Sequence, residues 1–133
     1  MTFLLDTNVW IDAIRRSDEH VLHHMSKCRA DDIRLSSVVL GELLVGAAKS
    51  RTPDATKAVR LLAQSYPLVG LGEPEAAAYA EIRAHLETTG QPIGPNDLWI
   101  AAQARANNLV LVTANAGEFS RVPSLHLQNW REL

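Results

Sequence analysis

The chain of 133 residues has one cysteine, Cys28, so neither an intrachain disulfide framework nor a multi-cysteine zinc site is possible. It has no apolar run near the roughly 20 residues that a membrane span requires. Leu43 to Ala48 and Leu98 to Ala102 are among the longest. Met1-Thr2-Phe3 leads straight to an acid at Asp6, with no basic segment and no long apolar one. No secretory leader is expected, and the expected compartment is the cytoplasm. There is no glycine-rich phosphate loop, and no serine or cysteine sits in a strand-turn-helix elbow. An excess of basic charge is missing too. Thirteen Lys and Arg face 15 Asp and Glu, a net charge of −2, which argues against broad, metal-free binding of nucleic acid.

What is present is enough for one globular domain over residues 1–133: 47% of the chain is hydrophobic. Phe3-Leu4-Leu5 reads as a buried strand, and Asp6-Thr7-Asn8 supplies caps for a helix from Val9 to about Arg16. A second helix is expected from Asp18 to Lys27. A strand over Ile33–Leu35 leads into a helix from Val38 to Lys49 with Ser36-Ser37 as its cap. Thr52-Pro53 opens a helix to about Gln64, Tyr66 to Leu71 is extended, and Glu73-Pro74 opens a long helix to Thr89. After the rigid Gln91–Pro95 loop, Asn96 caps a helix to Ala106. Leu109 to Val112 is the clearest strand, Thr113 to Ser120 reads as a loop, and Leu125–Leu127 as a last strand. Strands alternating with helices predict an α/β fold with a mostly parallel sheet.

Four acids stand out. Asp6 lies where an apolar strand stops, and ligands of open parallel sheets bind outside the carboxyl ends of the strands. Thr7 and Asn8 can cap the helix equally well, which leaves Asp6 spare. Glu42 shares its helix face with Val38, Val39, Val45 and Gly46. It is either a rim residue reaching water or a carboxylate needing a cation. Asp97 opens its helix, where the helix dipole favours an acid, but the next residues on that face, Ile100 and Ala101, are apolar. Glu118 follows the strongest strand and is by itself an ordinary loop acid. Carboxylates gathered at one sheet edge repel unless a cation joins them. An all-oxygen donor set suits Mg²⁺ or Mn²⁺. Mg²⁺ retains waters, so it can deliver one as a nucleophile to a phosphodiester. With four acids so committed, 13 basic residues face 11 acids, a remainder of +2, and the ion adds its own charge where a phosphate would sit.

His20, His23 and His24 at helical spacing could bind a metal, but no partner set completes the site and a solvated helix face is the simpler reading. Trp10, Trp99 and Trp130 read as core or interface residues.

Phe3–Asn8, Ser36–Glu42, Ile93–Ala102 and Leu111–Asn115 with Glu118-Phe119, in that order, resemble the PIN-domain family and, within it, the VapC toxins of bacterial toxin–antitoxin pairs. The resemblance covers nearly the whole chain. It implies a PIN-like three-layer sandwich, with a parallel sheet of about five strands flanked by helices, and an Mg²⁺-dependent endoribonuclease. Asp6, Glu42 and Asp97 match the family's acidic triad, with Asp6 and Asp97 as direct metal ligands. Many members carry a fourth acid at the position of Asn115. Glu118 is the residue expected to take that role here, with a single ion rather than two, and Thr113 and Asn115 would hydrogen-bond ligands or waters. The resemblance further implies a homodimer and a small VapB-like antitoxin whose tail covers the acidic site, often with an arginine. Among relatives the RNA substrate is frequently transfer RNA.

The expected mechanism has Asp6 and Asp97 holding Mg²⁺, Glu42 orienting or deprotonating the attacking water, and Arg15 or Arg121 guiding the RNA backbone. Two rivals stand beside it. One is a non-catalytic module of the same fold that binds RNA or protein. The other is a phosphotransferase with Asp6 as nucleophile, which would want a second acid where Asn8 stands and a lysine after a later strand; Lys27, Lys49 and Lys57 all fall in helix patterns.

Overall fold

Why the acids meet follows from the order in which the strands are laid down. In the computed structural model, which describes residues 1–132, five strands form one parallel sheet: β1 (Phe3–Leu5), β2 (Ile33–Ser36), β3 (Leu68–Val69), β4 (Val110–Val112) and β5 (Leu127–Gln128). Their spatial order is β3-β2-β1-β4-β5. The chain starts at the centre, builds outward to β3, then returns to place β4 on the other flank of β1. That reversal makes a switch point between β1 and β4, where an open α/β sheet leaves a crevice at its carboxyl edge.

Seven helices connect and flank the strands among the described residues: α1 (Thr7–Arg15), α2 (Glu19–Ser26), α3 (Ser37–Ser50), α4 (Pro53–Ser65), α5 (Glu73–Thr88), α6 (Pro95–Ala106) and α7 (Ala116–Phe119). A parallel sheet covered on both faces needs strands that are apolar throughout. Leu4, Leu5, Leu35, Leu111 and Val112 are accordingly without solvent exposure. In register, Leu5 stands opposite Val112, and the Asp6 amide continues the ladder by donating to the Val112 carbonyl at 3.0 Å. The α/β architecture and five parallel strands are thus as the sequence predicted.

Several boundaries differ from the sequence reading. The last strand is Leu127–Gln128 rather than Leu125–Leu127, set by Leu111 and Val112 as its partners. The segment Thr113 to Ser120 is not all loop. It contains the one-turn α7, held by the buried Phe119. α6 begins at Pro95 with Gly94 as its N-cap, not at Asn96, because the fixed φ of proline suits the first helical position.

Candidate active site

Asp6 ends β1 and caps α1. Its Oδ1 accepts the Val9 amide at 3.0 Å, so the expectation that Thr7 or Asn8 caps this helix is corrected. A cap stands one residue before the first helical one, and the helix starts at Thr7. Capping occupies only one oxygen. Oδ2 accepts the hydroxyl of Thr113, which follows β4 and in turn accepts the Asn115 amide at 2.9 Å. Asp6 is 8% exposed and Thr113 1%, so the carboxylate is fixed at both oxygens with one edge left open to the crevice.

Glu42 arrives from α3, which Ser36 starts by accepting the Val38 and Val39 amides. Its carboxylate is half-buried and accepts the Thr7 hydroxyl at 2.9 Å. Asp97 stands in the first turn of α6. Glu118, on α7, accepts the Gly94 amide through Oε1 at 2.8 Å and the Asn115 side-chain amide through Oε2 at 3.0 Å. One cleft of roughly 170 Å³ is lined by Asp6, Thr7, Asn8, Glu42, Asp97 and Asn115, and closed by Ile100 and Phe119. Glu118 stands beside it, with its negative charge acting on Asp97. Three of the four predicted acids therefore line one cleft, and the fourth adjoins it.

The charges show what this proximity costs. Burial pushes the Asp6 carboxyl above its ordinary value, against the pull of the Thr113 hydroxyl and the Val9 amide. Asp97 is pushed up to about 6, first by burial, then by the negative charge of Glu118, with Glu42 and Asp6 adding to it. Glu118 goes the other way, because the Gly94 amide holds it ionised. Four oxygen-only side chains thus share a field that a cation would relieve. Among the described residues, no group of three or more His, Cys, Asp or Glu stands close enough together to hold a metal ion. By chemistry alone, carboxylate oxygens such as those of Asp6 and Asp97 suit a hard ion such as Mg²⁺.

Other candidates lie elsewhere. His20 Nδ1 pairs with the Arg131 carbonyl at 2.9 Å and His24 Nε2 with the Glu132 carbonyl at 3.3 Å, while His24 stacks on the buried Trp130. Together with Arg131 Nε, which donates to Asp12 at 2.7 Å, they secure the chain's end rather than a metal. Trp10 and Trp130 are core, as predicted. Lys27, Lys49 and Lys57 are exposed on or beside helices, and no lysine lines the cleft. Arg121 donates to the Pro92 carbonyl at 3.2 Å, beside the Asp97 loop, and Arg15 lies with Glu42 along a separate apolar groove. Sequence reasoning missed Thr7 as the partner of Glu42 and the Gly94 amide as the partner of Glu118. The first was masked by reading Thr7 as a cap.

The PIN-domain family model matches residues 3–125. The chain is 35% identical to the tRNA(fMet)-specific endonuclease VapC of Salmonella typhimurium and 34% identical to ribonuclease VapC2 of Rickettsia felis, each comparison covering 98% of both chains. It superposes on the crystal structure of DNA-bound VapBC from Salmonella typhimurium with a TM-score of 0.90 at 33% identity, covering 98% of each chain.

Proposed function

This chain belongs to the PIN-domain family, and on that footing we propose that it is the ribonuclease toxin of a VapBC-type pair, hydrolysing RNA phosphodiester bonds at the Asp6–Glu42–Asp97–Glu118 cleft with Mg²⁺ or Mn²⁺. The observation that carries this reading is the convergence of three carboxylates from three separate elements on one crevice at the β1–β4 switch point, with Glu118 acting on Asp97 from beside it. Carboxylates buried together raise each other's proton affinity, and a fold tolerates that chiefly where the site is used.

Asp6 and Asp97 would hold the ion, and Glu118 would share it as the fourth acid. A bound divalent ion supplies an activated water at neutral pH and offsets charge developing on the phosphate. The chain's own residues do the rest. Thr113 and the Val9 amide fix Asp6 at both oxygens, so its open edge keeps one direction. The Thr7 hydroxyl orients Glu42, which takes the proton of the attacking water. Asn115 and Gly94 keep Glu118 ionised and turned to Asp97. Arg121 and Arg15 contact the RNA backbone. The named activity of the relatives supports RNA as substrate, and the Salmonella typhimurium relative's name supports initiator transfer RNA as the first one to try.

The partner is a VapB-like antitoxin. An apolar groove of roughly 190 Å³ between α1, α3 and α4, with Ile11, Ile14, Leu43 and Val59 in its walls, runs up to Glu42. An amphipathic antitoxin segment in that groove would bring its tail to the carboxylates, where an arginine would neutralise them in place of the metal. A homodimer completes the assembly.

The test is a map of cleavage sites on total RNA for wild type and Asp6→Asn in Mg²⁺. Discrete sites are expected for wild type only. Cleavage by Asp6→Asn at the wild-type rate, or none by either protein, overturns the reading.

A further inference from the structure

One polar side chain in α6 is completely buried and lies six residues beyond Asp97. Gln103 has no solvent exposure. Its Oε1 accepts the hydroxyl of Ser36 at 2.5 Å, and its Nε2 donates to the carbonyls of Val69 at 3.0 Å and Gly70 at 3.2 Å and toward the Ser37 hydroxyl at 3.3 Å. The amide orientation is forced, because a flipped group would set its oxygen against two carbonyls. Through this one residue α6 is tied to the end of β2, the capped start of α3 and the end of β3.

The rest of α6 is gripped mainly by α5, through the Trp99–Tyr79 stack and the Arg105–Glu81 ion pair at 3.1 Å. Its buried positions are mostly small: Ala101, Ala102 and Ala104 beside Leu98 and Ile100. Small side chains carry no hydrogen bond, so among the buried positions of α6 only Gln103 makes a directional side-chain contact to α3 and the sheet. A fully satisfied buried polar network specifies one arrangement. At 1.5 Å per residue, Gln103 lies about 9 Å from Asp97 along α6, and Ser36 about 9 Å from Glu42 along α3. The bond between Ser36 and Gln103 therefore joins the two helices that carry two of the four acids.

We propose that Gln103 is a positioning residue: its buried amide locks α6 onto the Ser36-capped start of α3 and so holds Asp97 in register with Glu42 across the cleft. The inference rests on the metal-site reading given above. It predicts that loss of the amide disturbs the site without removing any ligand.

The experiment compares wild type with Gln103→Met, which keeps the length and loses every side-chain hydrogen bond. Mn²⁺ affinity of EDTA-treated protein is measured by electron paramagnetic resonance, kcat and KM on the cleaved RNA are measured separately, and both crystal structures are determined. The expected result is native far-UV circular dichroism, Mn²⁺ binding weakened about tenfold, kcat lowered more than KM is changed, and Asp97 displaced relative to Glu42. A folded Gln103→Met with wild-type Mn²⁺ affinity overturns the inference, even if it melts earlier, since that is the behaviour of a merely structural residue. If Gln103→Met does not fold, Ser37→Ala removes one contact to the same amide and decides by the same measurements, with a loss of about twofold expected and no loss overturning the inference. If wild type binds no Mn²⁺, the metal reading fails instead. The crystal structures then decide: an unmoved Asp97 overturns the positioning role and a displaced one upholds it.

Discussion

Asn115 donates its side-chain amide to Glu118 at 3.0 Å, so an amide on this loop serves the acid three positions on. The pair is closed by the Gly94 amide on the other carboxylate oxygen. Glu118 is thereby kept ionised beside Asp97, and it is the largest charge effect on Asp97. Glu118→Gln should therefore lower the Asp97 titration midpoint from about 6, read by carbon NMR of the side-chain carboxyls in metal-free protein. An unmoved midpoint would mean that burial, with Glu42 and Asp6, sets it without Glu118.

The sign of the Asp97 effect fixes a pH dependence. Its folded value of about 6 lies above the ordinary 3.8. The folded state thus holds its proton more tightly, and that contribution is complete below about pH 4 and lost as pH rises through 6. In EDTA, Asp97→Asn should melt higher than wild type at pH 7.5, with the advantage shrinking by pH 4.5. Calorimetry at the two pH values checks this, and an advantage that stays constant with pH counts against it.

Thr113 is buried and fixes Asp6. Thr113→Val keeps the shape and removes the hydroxyl, leaving Asp6 Oδ2 and the Asn115 amide each short of a partner. Mn²⁺ affinity should fall about tenfold and stability by about 1–3 kcal/mol. Thr113→Ser should retain most of the affinity. Equal losses for Val and Ser would locate the effect in packing instead.

The end of the chain carries an ion pair whose two charges both act on Asp6. Arg131 pairs with the largely buried Asp12 at 2.7 Å, with its own side chain 41% exposed. Water screens the pair, so Arg131→Ala should cost about 1 kcal/mol in urea titration. Asp12→Asn combined with Arg131→Ala should cost less than the sum of the two single changes, because no uncompensated carboxylate remains. Additive losses would show that the pair does not couple.

The legible parts of this molecule were those written in short-range pattern. Apolar triplets such as Phe3–Leu5 and Val110–Val112 announced buried strands, and acids at their carboxyl ends announced the site. The illegible parts depend on where elements stop and what lies across from them. Asp6 was read as free of capping duty because Thr7 and Asn8 are equally good caps, and only the helix start at Thr7 decides among the three. α7 was hidden by its shortness, since Ala116-Gly117-Glu118-Phe119 is too brief to show a helical period and is held by Phe119 docking in the core. Gln103 looked like any polar residue of a helix. Its alanine neighbours on both sides, Ala101, Ala102 and Ala104, were the available sign that water does not reach that face. Its partners, Ser36 and Val69, are 67 and 34 residues away.

That Asp6 both starts α1 and faces the cleft has a consequence for genetics. Alanine at this position removes the proposed metal ligand and a helix cap together, a loss of about 1 kcal/mol from the cap alone, and a weakened protein is cleared by cellular proteases. An allele that looks detoxified could then owe its phenotype to abundance. Asparagine caps as well as aspartate does, so among simple replacements it is the one whose harmlessness in a living cell reports on catalysis rather than on survival of the polypeptide.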